Sequence, residues 1–119
     1  MRGLDLFSAL ISSVLTVASG HGPWQPEQAP RGFEVRVAEA NVISGPRVIR
    51  VTRGERVEII WSTDRPHDIH LHGYDIDLRL TPDETKAMAF TAHATGRFPV
   101  EIHDAQQRGV LLHVEVHPR

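Results

Sequence analysis

The chain has 119 residues, 40% hydrophobic and 24% charged, which fits one soluble globular domain and excludes a multidomain protein. Thirteen Lys and Arg against 15 Asp and Glu leave a formal charge of -2, so neither a basic nucleic-acid footprint nor a solvating acidic tail is present. No cysteine occurs, which rules out disulfides, thiolate metal clusters and a cysteine nucleophile, whereas eight histidines call for an explanation.

The first 20 residues pass from Arg2 through an apolar stretch, Leu6 to Val17, into Ala18, Ser19 and Gly20. That is the shape of a secretory signal peptide, and the apolar run falls short of the roughly 20 residues a membrane span needs. The expectation is export to the periplasm or the exterior, with no stable membrane anchor after cleavage. Residues 21–32 carry Pro23, Pro26 and Pro30 without apolar periodicity and read as a flexible arm. A folded domain is expected over 33–117.

Within it, Phe33, Val35 and Val37 alternate with Glu34, Arg36 and Ala38, the period of a half-buried strand. Further strands are predicted at 48–51, 57–61, 69–73, 76–80, 86–90, 97–103 and 110–116, separated by Gly, Pro and Asp turns. No segment has a helical period. Seven or eight short strands at this spacing predict an all-β, antiparallel Greek-key sandwich or barrel.

His67, His70 and His72 follow Trp61 and the polar turn Ser62-Thr63-Asp64-Arg65-Pro66. On a strand His70 and His72 share a face while Ile69 and Leu71 point to the core, which sets the two imidazoles about 7 Å apart. Imidazoles without thiolate or thioether suit Cu(II) or Zn(II) better than Cu(I). A third ligand is expected from His103, at the end of the predicted strand RFPVEIH, if strand ends converge at one pole of the sandwich. Glu101 and Asp104 are placed either as partners orienting an imidazole or as oxygen ligands. A solvated His cluster without metal is the alternative. His113 alternates with Leu112, Val114 and Val116 and is expected on an outer, solvated face; His93 and His117 are expected in a turn and in the tail. His21 would become the N-terminal residue if cleavage followed Gly20, pairing an α-amine with an imidazole.

The stretch PHDIHLHGYDI, residues 66–76, resembles the HPxHLHGHxF motif in the last cupredoxin domain of multicopper oxidases. The resemblance implies a cupredoxin-like sandwich. It assigns His67 to the type 1 copper position and His70 and His72 to the other coppers, with Tyr74 where the family has a fourth His. The family's later G-x-W-x-x-H-C-H pattern is matched by Gly96 to His103: Phe98 stands for the aromatic, Glu101 for a His, Ile102 for the copper Cys, and His103 for the last His. The strand pair VIRVTRGERVEIIW also looks like the one that precedes the first copper His in small cupredoxins. Without the Cys no blue-copper centre is expected. The trinuclear site of the family is built between two domains, so one domain is expected to keep a mononuclear site of His70, His72 and His103, with His67 as a fourth ligand and an open position.

The function these readings favour is an exported cupredoxin-like protein binding one copper, as Cu(II), or Zn(II), in metal handling or delivery, with a metal-donor or metal-acceptor protein as partner. Protons compete for imidazole near pH 6.5, so such a site weakens on acidification. The alternatives are a metal-free binding or structural module, in which Ile102 refills a lost copper site, and a mononuclear copper oxidase. No Ser-His-Asp set, carboxylate pair or phosphate loop can be placed.

Overall fold

The computed structural model describes residues 29–119, so the leader expected at 1–20, most of the arm, and His21 lie outside the described residues. Nine strands form two sheets, with no helix among the described residues and therefore none that could cross a membrane. In chain order they are β1 (Arg31–Ala38), β2 (Asn41–Ser44), β3 (Val48–Thr52), β4 (Arg56–Thr63), β5 (His67–Leu71), β6 (Ile76–Leu80), β7 (Lys86–Thr91), β8 (Gly96–His103) and β9 (Arg108–His117). One sheet runs β2-β1-β4-β7, the other β3-β9-β8-β5-β6. The pairing is antiparallel except for β1 with β4 and β3 with β9, which are parallel, so the sandwich is mixed rather than wholly antiparallel.

The two-residue period places the core. From the four-stranded sheet, Val35, Val37, Val57, Ile59, Trp61 and Met88 point inward. From the five-stranded sheet, Ile49, Val51, Ile69, Leu71, Val100, Ile102, Leu112, Val114 and Val116 meet them. Each such fully buried side chain contributes about 1.5–3 kcal/mol relative to exposure, so alternation alone holds the two layers face to face. The strand β2 escapes a sequence reading because only Val42 of its four residues is buried. Its neighbour Ile43 is the extra residue of a bulge, with Arg36 opposite Ser44 and Val37 opposite Val42, and is exposed.

A second bulge shapes the functional face. Val100 pairs with Leu112 but Glu101 with Val110, which leaves Leu111 as the extra residue. Leu111 and Leu112 are consequently both buried, and the phase of the outward residues changes along β9. The outer face of the five-stranded sheet then carries Asp77 and Arg79 from β6, Asp68 and His70 from β5, Glu101 and His103 from β8, and His113 and Glu115 from β9.

Candidate metal centre

Strand register brings the histidines together. On β5 and β8, His70 stands directly opposite Glu101, with Ile69 opposite Ile102 and Leu71 opposite Val100 on the core side. His103 is two residues along β8 from Glu101, and His72 two along from His70, so both fall diagonally on the same face. The amide of His72 donates to the Pro99 carbonyl at 3.0 Å, which keeps the chain beside β8 past the end of β5. The meeting place is thus the outer face of the five-stranded sheet, not the pole of the sandwich.

The three imidazoles are in mutual contact. The ring centroids of His70 and His72 are 4.7 Å apart, those of His70 and His103 5.4 Å, and those of His72 and His103 5.4 Å. One ligand atom from each of His72, Glu101 and His103 lies within 4.8 Å of the other two. Glu101 bridges the pair: Oε2 is 3.3 Å from His72 Nε2 and Oε1 3.5 Å from His103 Nε2. Although close, His72 Nε2 is shielded from water and makes no aligned hydrogen bond. A buried nitrogen without a partner costs about 1–3 kcal/mol unless something else satisfies it.

His70 is held differently. Its Nδ1 is 2.7 Å from Asp77 Oδ1, its cross-strand neighbour on β6. A carboxylate only accepts, so in the neutral imidazole Nδ1–H donates and Nε2 keeps its lone pair, 3.6 Å from Asp75 Oδ1. Asp77 and Asp75 are the residues a sequence reading misses; the short β5–β6 hairpin, which pairs position 70 with 77, is the signal that finds Asp77. The same turn anchors His72. Gly73 has φ +84°, and a Cβ there would run into the Phe98 ring, so only glycine lets the turn pack this closely. The Tyr74 hydroxyl donates to the Ala94 carbonyl at 2.8 Å and accepts from the Ala94 amide at 3.1 Å, pinning the far side.

His67 is not part of this group. It shares the inward face of β5 with Ile69 and Leu71 and is 1% exposed. Its Nδ1 is 2.7 Å from Asp104 Oδ2, and Asp104 Oδ1 accepts from the Asp68 amide at 2.6 Å. Partial burial works to raise the Asp104 carboxyl, but the Asp68 amide and the His67 imidazole outweigh it, and the group titrates below its ordinary value. Of the two roles expected of Asp104, it takes that of an imidazole's partner, and the imidazole is that of His67. His113 is half-buried, 3.4 Å from Arg97 through Nδ1, while His93 and His117 are exposed.

The donor set suits one kind of copper site and not another. A type 1 site does not fit: there is no cysteine, Ile102 is 1% exposed in the core, and His67 is already bonded. A site of imidazoles and one carboxylate does fit Cu(II) or Zn(II), since two imidazole nitrogens, that of His72 shielded from water, and an anionic oxygen converge. A cavity of about 430 Å³, lined by Asp68, Asp77, Leu78, Arg79 and His103, opens beside it.

No family model and no curated protein sequence matches the chain. Solved structures match it in fold. A chain of a heme-copper terminal oxidase dimer superposes with a TM-score of 0.63 at 17% identity, covering 86% of this chain and 78% of that one. Auracyanin A, a blue copper protein from Chloroflexus aurantiacus, gives 0.57 at 15%, covering 75% of this chain and all of its own (100%). A multi-copper oxidase from Pseudomonas thermotolerans gives 0.58 at 17%; 77% of this chain is covered but only 30% of the oxidase. The chain is a cupredoxin-like domain by fold, one that lacks the type 1 copper cysteine.

Proposed function

We propose that this protein binds a single copper ion, as Cu(II), through His72, Glu101 and His103 with His70 beside them, and acts in metal handling or delivery outside the cytoplasm. The observation that carries the reading is the convergence of three ligand atoms within 4.8 Å of one another, in a group where His72 Nε2 is shielded and unbonded. The fold supports copper over other ions, since structural neighbours include blue copper and multi-copper proteins. Imidazole and carboxylate also accept Zn(II), which would compete for the same atoms. Export rests on the leader-like first 20 residues, and N-terminal sequencing of the cell-derived protein checks it.

Titration with Cu(II) followed by EPR tests the site. The expected result is one equivalent bound, with nitrogen hyperfine structure and without the intense blue band of a thiolate site. In a His72→Ala/His103→Ala variant, affinity falls by more than about a hundredfold, beyond the 10–100-fold that residues merely supporting a ligand contribute.

One observation favours a second reading, a metal-free module: Glu101 already bridges His72 and His103, so the cluster has an internal partner without an ion. Titration that finds no stoichiometric Cu(II) or Zn(II) selects it.

A further inference from the structure

We infer that Glu101 makes this site selective for oxidation state, holding Cu(II) and releasing Cu(I), so that reduction is the trigger for delivery. The inference rests on the copper reading above and adds how the ion leaves.

The argument starts from the donors. Cu(I) is stabilised by soft sulfur, and Cu(II) by imidazole with an anionic oxygen. The chain has no cysteine, and of its two methionines Met88 is 1% exposed in the core between the sheets, away from the outer face, while Met1 lies outside the described residues. The converging atoms are two imidazole nitrogens and one carboxylate oxygen.

Charge acts in the same direction. Glu101 reaches both His72 and His103, Asp77 bonds the neighbouring His70, and Asp75 lies 3.6 Å from His70 Nε2. The Glu101 carboxylate between neutral imidazoles favours a divalent over a monovalent cation, the more so beside the shielded His72 Nε2, while Asp75 and Asp77, 95% and 81% exposed, are screened by water and add less. The Glu101 side chain is 26% exposed, so its charge is only partly screened.

The resemblance put a histidine at the position Glu101 occupies. A fourth neutral imidazole would leave the set indifferent to one unit of charge; a glutamate does not. Release is then a one-electron step. A small reductant of the ascorbate class gives one electron to Cu(II) and is itself oxidised by one electron. The resulting Cu(I) leaves, while the Glu101 oxygen and the imidazole nitrogens keep their electron pairs.

The test measures both affinities on the full chain, Cu(II) against a competing chelator and Cu(I) against bicinchoninate without oxygen. Cu(II) is expected to gain over Cu(I) by about a hundredfold relative to the aqueous ions. This lowers the potential of the bound couple by about 120 mV at 59 mV per tenfold. Glu101→Gln, equal in size and neutral, cuts that gain by about tenfold or more, chiefly through Cu(II), and Glu101→Asp, which keeps the charge, retains most of it. A gain near one in the wild type overturns the inference, as does a Glu101→Gln protein that loses both affinities equally. Failure of the wild type to bind Cu(II) stoichiometrically overturns the copper reading itself and this inference with it.

Discussion

His67 and His70 stand three residues apart on one strand and face opposite sides of the sheet, and the two sides differ in how imidazoles are matched to carboxylates. On the core side the match is one to one. Asp104 accepts from His67 Nδ1 with one oxygen and from the Asp68 amide with the other, while His67 Nε2 is buried in the core and makes no hydrogen bond. On the outer side three imidazoles crowd together, and Glu101 lies 3.3–3.5 Å from two of them without an aligned hydrogen bond to His72. The lesson is that neither the histidine count nor one unbonded imidazole nitrogen locates a site, since His67 Nε2 and His72 Nε2 are both buried without a partner; the convergence of several ligand atoms does. His67, aligned with a type 1 ligand by motif, works as a fastener between β5 and the β8–β9 connection.

The largest effect that would break this comparison is on stability. Asp104→Ala leaves His67 buried without its partner, and the expected loss is about 1–3 kcal/mol, read as a lower urea midpoint. Cu(II) affinity stays as in the wild type. A large loss of copper with no loss of stability would reverse the two roles. The same contact predicts a pH dependence. Asp104 titrates below its ordinary value of 3.8 in the folded chain, so the unfolded chain binds the proton more readily. Its contribution is complete above that ordinary value and disappears as pH falls through the lower folded value. The stability difference between wild type and Asp104→Ala therefore shrinks as pH falls from about 5 to below the lowered folded value.

Much of this division was legible in the sequence. Eight of the nine strands follow from apolar alternation, and the pairing of His70 with His72 on one face follows from the same period. The inward position of His67 was legible too, because 67, 69 and 71 share a parity and Ile69 and Leu71 are core; a motif read as a unit hides it. What alternation cannot supply is register between distant strands. That His70 faces Glu101, and that Leu111 is bulged out of step so that Val110 pairs with Glu101, depends on how the chain between these strands folds back. The β2 strand, with a single buried residue, carries no periodic signal at all.

A smaller effect sharpens the outer side. Asp77→Asn keeps the size of the side chain but weakens its hold on His70 Nδ1, so that Nε2 no longer reliably presents its lone pair. Cu(II) affinity is expected to fall by about tenfold, the lower end for a residue that orients a ligand. Stability should barely change, because the Asp77 side chain is 81% exposed. An EPR spectrum showing one fewer coordinated nitrogen in this variant, matched by His70→Ala, would establish His70 as a ligand; an unchanged spectrum would leave the ion on His72, Glu101 and His103 alone.

The smallest effect is the most discriminating, because it compares histidines within one face. His113 shares the outer surface with the cluster and lies opposite Pro99 on β8, whose carbonyl accepts from the His72 amide. Its surroundings are nevertheless spent: Arg97 approaches Nδ1 at 3.4 Å. The nearest carboxylate along its strand face, Glu115, is shared by Arg50 at 3.2 Å, Arg97 at 3.4 Å and His117 at 3.4 Å. Two guanidinium charges repel an incoming cation, and the carboxylate that might offset them already serves both. His113→Ala is therefore expected to leave Cu(II) stoichiometry and affinity unchanged. If it weakened binding as much as His103→Ala does, the ion would be sampling any imidazole on the sheet, and the convergence of His72, Glu101 and His103 would carry no special meaning.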